Sequence, residues 1–309
     1  MRQDSSMNMN EPFLLRDALK AGYSRRKIQA TPFRRLFHGV YVLGAEPLDA
    51  RREGCAVLLA AGPGAFLSHH QAARLYGATV PHTDVFHASV REDRHRSRRK
   101  EVAVHKSART PTTFRGLPVT SPEDTFADMA AHLSTVDLVV LGDSLVRLKR
   151  ATSDQLIRAS ENALPQLRSH ALTAAQLVRT GTDSPMETRS RLLIVLAGLP
   201  EPEVNICFFN EYGDVVRRTE MGYRDYRLAI EYDGRHHAET QAQWEADIAR
   251  REEFDGADWR IVTLLAKDIY RTPGKTLERI VAAMRKEGMR VSISSDEWRR
   301  HFPEVSAYI

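Results

Sequence analysis

The feature that most constrains this chain is a short strand-like run, Tyr226–Tyr232, which ends in acidic residues. Apolar Leu228 and Ile230 alternate with Glu231, so the predicted strand buries one face and points Glu231 off the other. Asp233 follows two residues later and shares the face of Glu231, because strand side chains repeat every second residue. The run therefore predicts two carboxylates side by side at the end of a buried strand.

A third carboxylate, Glu220, lies at the end of the preceding predicted strand, Val215–Met221, and can reach the same point across a hairpin. Three clustered carboxylates repel one another, which favours a bound cation. Hard oxygen ligands suit Mg²⁺ or Mn²⁺, ions that keep several waters and bridge to a phosphate. Such an ion polarises a phosphoryl oxygen and supplies hydroxide for attack. The pattern predicts a metal site made by Glu220, Glu231 and Asp233.

At these residues the chain resembles the PD-(D/E)XK nuclease core in its Vsr-like variety, related to the very-short-patch mismatch-repair endonuclease. The run from Glu231 to His237 matches the E-x-D-G-x-x-H end of that family's central strand. The run from Ser184 to Arg189 matches the family's first helix, and segments ending at Arg250 and beginning at Asp258 match its later helix and strand. The resemblance covers about a third of the chain and implies a compact α/β sandwich.

The resemblance also implies roles for individual residues. Glu231 would be a metal ligand and Asp233 its partner, His237 a base or phosphate contact, and Glu187 would help to hold a metal-bound water. Glu220 stands where the family has an Asp, and Asp233 takes the place of the lysine of the general nuclease motif.

Each of these residues also has a structural interpretation. Ser184 and Glu187 form a capping box by themselves, Asp233 can belong to the turn after the strand, and His237, next to His236, can be a surface residue.

The N-terminal segment has the elements of a winged helix. Phe13–Gly22 is predicted as a short helix, and Arg25–Ala30 as a second, basic helix that Ser24 caps. Two strand-like runs follow, Phe33–Phe37 and Val40–Leu43. The basic helix would enter the major groove of DNA and the hairpin would contact its backbone. The alternative is a small helical cap that binds nothing.

Positive charge is concentrated in two places. Residues 11–44 hold seven Lys or Arg against two acids, an excess equal to the net charge of +5 of the whole chain, and residues 91–100 hold six cationic residues. Such patches attract a phosphate backbone through counterion release. The alternative for the second run is a solvated loop. The predicted DNA-binding residues are Arg25, Arg26, Lys27, Arg34, Arg35, Arg98, Arg99 and Lys100.

The front half of the chain resembles AbiEi-type antitoxins. Residues 34–41 resemble the end of their winged helix, and residues 67–72 and 116–125 resemble the domain that follows it. This resemblance implies a transcriptional repressor or antitoxin ancestry. The adjacent His69 and His70 lie on a predicted helix with no carboxylate at ligand spacing, so we interpret them as packing or surface residues and not as metal ligands.

At 309 residues the chain is too long for one small core. We predict an α/β multidomain protein with an N-terminal winged helix, a mixed α/β middle domain and a C-terminal restriction-endonuclease-like (Vsr-like) sandwich. The predicted boundaries are 1–47 for the winged helix, 48–160 for the AbiEi-like domain, 161–183 for a linker, 184–290 for the nuclease-fold domain and 291–309 for a C-terminal tail. Without a stretch of ~18 apolar residues, no transmembrane helix is expected. No secretory signal is recognised, and two cysteines form no disulfide framework, so a reducing cytoplasm is expected.

Two functions therefore stay open at this point. One is a Mg²⁺- or Mn²⁺-dependent endodeoxyribonuclease that binds DNA. The other is a DNA-binding regulator of the antitoxin kind, whose nuclease fold is inactive. DNA is the expected partner and a membrane is not, while a toxin partner and self-association both stay open.

Overall fold

A computed structural model describes residues 7–92, 101–234 and 259–303 of the chain. The described part is mixed α/β and contains three sheets, which confirms the predicted α/β class. The chain divides into two compact units. The first unit contains the residues up to Leu133 together with Leu148–Gln176, and the second contains Ser134–Arg147 together with the residues from Leu177 onward.

The first unit begins with a small three-stranded sheet. Its elements are β1 (Phe13–Leu14), α1 (Leu15–Lys20), α2 (Arg25–Ile28), β2 (Phe33–Phe37) and β3 (Val40–Leu43). The strand order is β1-β3-β2 and both pairings are antiparallel. The two predicted strands are confirmed. The first helix begins two residues later than predicted, because Phe13 and Leu14 pair with Tyr41 and Val40 of β3.

A second, five-stranded sheet follows in the same unit. The elements after the hairpin are α3 (Ala50–Ala61), β4 (Phe66–Leu67), α4 (His69–Tyr76), β5 (Phe86–Val90), β6 (Val102–Lys106), β7 (Thr112–Phe114), β8 (Leu117–Val119), α5 (Pro122–Met129), α7 (Ser153–Glu161) and α8 (Pro165–Leu177). Between α5 and α7 in the chain lies α6 (Thr135–Arg147), which belongs to the second unit. The sheet order is β6-β5-β4-β8-β7, with β5–β6 and β4–β8 parallel. The region predicted as a short helix and linker, 161–183, contains the 13-residue helix α8.

The second unit is built around a four-stranded sheet. Its elements from Leu177 onward are α9 (Pro185–Leu196), β9 (Glu203–Phe209), β10 (Val215–Tyr223), β11 (Leu228–Tyr232), β12 (Arg260–Leu264), α10 (Ala266–Tyr270), α11 (Pro273–Lys286) and α12 (Trp298–His301). Strands β9, β10 and β11 form an antiparallel meander, and β12 pairs in parallel with β11. A parallel pair needs a long crossover. The helix predicted there, Glu239–Phe254, lies outside the described residues.

Helix α6 belongs to the second unit, although the predicted boundaries put it in the middle domain. A buried ion pair joins it to α9. The Arg191 side chain is 0% exposed, and its Nη2 donates to Asp143 Oδ2 at 3.2 Å. Asp143 also accepts from the Thr188 hydroxyl and from the backbone N–H of Arg179. This network fixes α6 against the first turns of α9.

Helix length bears on membrane insertion. The longest helix of the described residues, α11, has 14 residues, against the ~20 that span a bilayer. No helix in the described ranges is both long enough and apolar enough to cross one.

Candidate functional site

Three carboxylates, Glu220, Glu231 and Asp233, lie on one face of the second unit's sheet where β11 ends, and we call them the acidic edge. Glu220 was predicted at the end of its strand, but β10 continues beyond it to Tyr223. Met221 of β10 pairs with Ile230 of β11, so one residue further Glu220 lies opposite Glu231. Directly opposed residues share a face of the sheet. The N–H of Asp233 donates to Leu264 O of β12 at 2.7 Å, which continues the β11 pairing and puts Asp233 on the face of Glu231.

A hydrogen bond anchors Glu220 at the end of β11. Its Oε2 accepts from the backbone N–H of Tyr232 at 2.7 Å. A carboxylate offers about four lone-pair positions, so this bond leaves capacity for other donors or a cation. Glu220, Glu231 and Asp233 are all half-buried. The acidic edge is therefore reachable from solvent and built on strands rather than on a loop.

The carboxylate oxygens do not meet as closely as three direct ligands would. Within the described ranges, a single group of three potential ligands has its ligand atoms within 4.8 Å of one another, and it consists of histidines. Three ligands on one Mg²⁺, at about 2.0–2.1 Å each, would lie no more than about 4.2 Å apart. The geometry is compatible with the usual Mg²⁺ arrangement of one or two carboxylates and several waters.

The strand that carries the acidic edge is more buried than its alternation indicated. Ala229 is fully buried, as are Leu228 and Ile230, so both faces of β11 are covered at these residues. Gly222, opposite Ala229, is required for the close approach of β10 and β11: a Cβ there would lie 2.3 Å from Leu228 O. The backbones of β10 and β11 are thus in close contact two residues away from Glu220 and Glu231.

Glu187 forms the hydrogen bonds of a helix cap. Its N–H donates to Ser184 Oγ at 3.1 Å, and its Oε2 accepts from the N–H of Asp183 at 2.8 Å. The side chain is 6% exposed, and burial raises the pKa of Glu187 above its usual value. The capping interpretation of Glu187 is supported by these bonds, and its role in holding a metal-bound water stays a prediction.

The basic residues of the N-terminal segment face solvent. Arg25, Arg26 and Lys27 of α2 are exposed, while Ile28 packs into the small core beneath them. In β2, Arg35 is exposed, and Arg34 is half-buried and donates to Glu46 O at 2.8 Å. The other predicted site residues, His237, Arg98, Arg99 and Lys100, lie outside the described residues.

A second group of side chains, which we call the histidine cluster, was not predicted from the sequence. It consists of His69, His70, His87, His105 and His132 of the first unit. Their ring centroids lie between 4.2 Å, for His69 and His105, and 6.0 Å, for His105 and His132. His69 begins α4, His87 and His105 belong to the parallel strands β5 and β6, and His132 follows α5.

The inner rings of the histidine cluster are shielded from water. Burial lowers the pKa of His69 to about 2, of His87 to about 3 and of His70 to about 4, and neighbouring histidines contribute in each case. These three rings are therefore neutral near pH 7. A pocket of about 720 Å³ opens beside them and is lined in part by His69, His105 and His132.

Little in the sequence pointed to this cluster. The interpretation of His69 and His70 as packing residues agrees with their burial, but it missed the three other histidines nearby. Alternation did place His87 and His105 on a predicted strand pair. Only the parallel pairing, with Ser89 opposite His105 and Ala103 opposite His87, shows that the two rings share a face.

Comparison with known proteins finds relatives but no family. No family model matches the chain. Two uncharacterized proteins of Mycobacterium tuberculosis, from strains CDC 1551 / Oshkosh and ATCC 25618 / H37Rv, are each 26% identical to it over 251 residues. The match covers 80% of this chain and 90% of each relative. Since that stretch is longer than either unit, the similarity extends into both.

Proposed function

We propose that the chain binds DNA and that its second unit hydrolyses phosphodiester bonds with Mg²⁺ or Mn²⁺. The observation that carries this proposal is the acidic edge: Glu220 opposite Glu231 across β10 and β11, with Asp233 on the same face. Carboxylates gathered on one face are the donors that hard dications prefer. An ion held there would polarise a phosphoryl oxygen and lower the pKa of a bound water.

The order of elements in the second unit supports the proposal. Helix α9, the antiparallel meander β9–β11, the parallel strand β12 and helix α11 follow one another as the resemblance to the Vsr-like nuclease core implies. In that comparison the acidic edge lies on the second and third strands, where the third ends. The order of elements by itself gives only a fold. The nuclease assignment adds a chemical role for the acidic edge.

The donor set fits a dication, with a limit on how many carboxylates ligate it directly. Because three carboxylate oxygens do not gather within 4.8 Å, at most two of Glu220, Glu231 and Asp233 would ligate one ion directly. Glu220 would keep its bond from the Tyr232 N–H, which holds the carboxylate in place. Water would complete the coordination of the ion.

The N-terminal sheet and helices support DNA binding. The order β1-α1-α2-β2-β3, with β3 between the other strands, is compatible with a winged helix whose second helix is the recognition helix. Arg25, Arg26 and Lys27 would contact phosphates from that helix, with Arg35 on the hairpin. We further propose a cytoplasmic location, which the free thiols of Cys55 and Cys207 support.

A second candidate function is a DNA-binding regulator without nuclease activity. Two observations favour it: the three carboxylates stay further apart than direct ligands of one ion, and Glu220 satisfies a backbone N–H. In this alternative the acidic edge has a structural role, in which Glu220 holds the end of β11 against β10 through the bond from the Tyr232 N–H. The whole chain would then be a DNA-binding regulator of the antitoxin kind, as the resemblance of its front half implies.

A cleavage assay separates the two candidates. Purified protein is incubated with duplex, mismatched and single-stranded DNA, with Mg²⁺, with Mn²⁺ and with chelator. We expect metal-dependent nicking or cleavage that Glu231→Gln reduces at least ~100-fold, while DNA binding measured by fluorescence anisotropy is unchanged. The matched control is Asp225→Asn, an exposed carboxylate at the opposite end of the same hairpin. Binding without cleavage of any substrate would support the regulator instead.

A further inference from the structure

The histidine cluster has the spacing of a metal site. One ring nitrogen from each of His69, His87 and His105 lies within 4.8 Å of the other two. Nδ1 of His87 and Nε2 of His105 are 2.9 Å apart. Two nitrogen ligands of a tetrahedral zinc ion, at about 2.0–2.1 Å from it, are separated by about 3.3 Å. In this structure the two nitrogens are hydrogen-bonded to each other. To ligate one ion they would separate by a few tenths of an ångström, and the two rings would turn toward it.

The three rings are held by regular secondary structure. His87 and His105 project from one face of the parallel pair β5–β6, in a register that sets them two residues apart along the strands. His69 is the first residue of α4, and Ser89 of β5 donates to Ser68 just before that helix at 2.8 Å. Sites built on strands and helices keep their geometry better than sites on loops.

A polar partner orients the ring of His69. Its Nδ1 lies 3.0 Å from Ser68 Oγ, which in turn accepts from Ser89. In the tautomer with the proton on Nδ1, the ring donates to Ser68 and Nε2 carries the free lone pair. Metal-ligating histidines are generally oriented in this way, by a hydrogen bond from the ring nitrogen that does not bind the metal.

Burying the histidine cluster costs free energy unless its ring nitrogens form hydrogen bonds or bind an ion. His70 is buried, and its Nδ1 finds no hydrogen-bond partner among the described residues. Buried polar atoms are nearly always hydrogen-bonded, so such an orphan requires an explanation. His69 adopts a left-handed backbone conformation, with φ of +52°, which non-glycine residues rarely do. Strain of this kind concentrates at binding sites.

The donor atoms select the kind of ion. The group contains imidazole nitrogens and no carboxylate, a set that suits Zn²⁺, Cu²⁺ or Ni²⁺ and not Mg²⁺ or Ca²⁺. His69 and His105 also line the pocket of about 720 Å³, so an ion has an entry path. His132 lies at that pocket, with its ring 5.0 Å from that of His69. The fourth ligand position is thus open to His132 or to water.

We propose that His69, His87 and His105 bind one Zn²⁺ ion in the first unit, with a fourth position facing the pocket. Three histidines with an open position are an arrangement that catalytic zinc sites use. This site shares no residue with the acidic edge and does not depend on nuclease activity.

Zinc titration of the tag-free, full-length protein tests the proposal. After chelator treatment and dialysis, binding is measured by competition with a chromophoric chelator. We expect one equivalent of Zn²⁺ per chain, and an affinity that falls at least ~100-fold in both His87→Gln and His105→Gln. The matched control is His82→Gln, since that exposed histidine pairs with Asp84 outside the cluster. A double change of His236 and His237 to Gln, the chain's other adjacent pair, should leave binding intact.

Cobalt gives a readout that does not depend on the variants folding. Co²⁺ bound by three histidines in a four-coordinate site absorbs strongly in the visible, whereas six-coordinate aqueous Co²⁺ absorbs weakly. We expect the wild-type protein to show the strong bands, and Zn²⁺ to remove them stoichiometrically. The proposal is overturned if those bands are missing, if zinc binding is clearly below one equivalent, or if the cluster variants bind zinc as the wild type does.

Discussion

Replacing Asp143 by alanine should destabilise the second unit more than any surface charge change. Asp143 is 3% exposed and accepts three hydrogen bonds, from Arg191 Nη2 at 3.2 Å, the Thr188 hydroxyl at 2.9 Å and the Arg179 N–H at 2.8 Å. The substitution removes all three acceptors at once. It leaves the Arg191 guanidinium buried, with Glu201 and the Leu177 carbonyl as its remaining partners among the described residues.

The size of the loss follows from these contacts. Breaking a buried ion pair from one side costs about 3–5 kcal/mol, because the other charge stays buried. Glu201 still contacts Arg191 Nη1 at 3.0 Å, which puts the loss toward the lower end. Removing the acceptor of the Arg179 N–H adds about 1 kcal/mol, while the Thr188 hydroxyl keeps a 3.4 Å bond to Ser184 O. The expected total is about 4 kcal/mol, or roughly 8–16 °C in the melting temperature of a unit of this size.

Thermal and urea unfolding monitored by circular dichroism measure this loss. The matched control is Asp296→Ala, which removes an Asp–Arg pair of similar length, 3.0 Å to Arg299 Nε, with Asp296 81% exposed. Exposed pairs contribute less than about 1 kcal/mol. If Asp143→Ala lowers the unfolding midpoint no more than Asp296→Ala does, the buried network does not hold α6 against α9, and our reasoning on burial is wrong.

Three further predictions concern the proposed sites. Replacing Arg25, Arg26 and Lys27 together by alanine should weaken DNA binding. It should also reduce the slope of log K against log salt concentration by up to about 3, since each phosphate contact contributes ~0.9. Anisotropy titrations at several salt concentrations measure this slope, and an unchanged slope excludes α2 from the interface. Burial raises the pKa of Glu187, so its stabilising contribution is present while the carboxyl is protonated and is lost as pH rises through the folded pKa. Glu187→Gln should therefore gain melting temperature relative to wild type as pH rises from about 4 to 7, and a constant difference across that range would contradict this. Gly222→Ala should lower the free energy of unfolding by about 1–3 kcal/mol, because the added methyl group overpacks against Leu228 O. It should also reduce any metal-dependent cleavage. An unfolding midpoint in urea equal to that of the wild type would show that β10 and β11 can separate there.

Sequence patterns predicted the long elements well. The sequence predicts a helix over Ala50–Ala61 that ends at Gly62. Helix α3 has these bounds, because Asp49 caps its start through the Arg52 N–H and Gly62 ends it with a φ of +103°. The hairpin strands β2 and β3 also match. In each case the signal is local: a cap, a glycine or an alternation lies within the element itself.

Several of the missed elements depend on distant partners, although helix α7 was also missed and has a local capping box at Thr152. Strands β4, β7 and β8 have two or three residues each, which is too short to show alternation. They exist because they pair with one another and with β5. Helix α6 was predicted correctly as a helix, but its membership of the second unit depends on Asp143 and Arg191, which are 48 residues apart.

The two candidate sites also differ in whether local sequence or distant partners determine them. Glu231 and Asp233 are two residues apart on one strand, so alternation alone placed them on a common face. The same alternation puts Ala229 on the face of Glu231, and Ala229 is nevertheless fully buried. The ring nitrogens of His69, His87 and His105 meet only through the parallel pairing of β5 and β6 and the position of α4.

The two proposed metal sites should respond independently to substitution, because their donors differ in chemistry and their residues belong to different units. Imidazole nitrogen prefers Zn²⁺, and carboxylate oxygen in water-rich sites prefers Mg²⁺ or Mn²⁺. His105→Gln should therefore lose zinc and keep Mg²⁺-dependent cleavage of DNA, while Glu231→Gln should lose cleavage and keep one equivalent of zinc. Metal content and cleavage rate are measured on the same preparations. Loss of both properties in either folded variant would contradict the assignment of two independent sites.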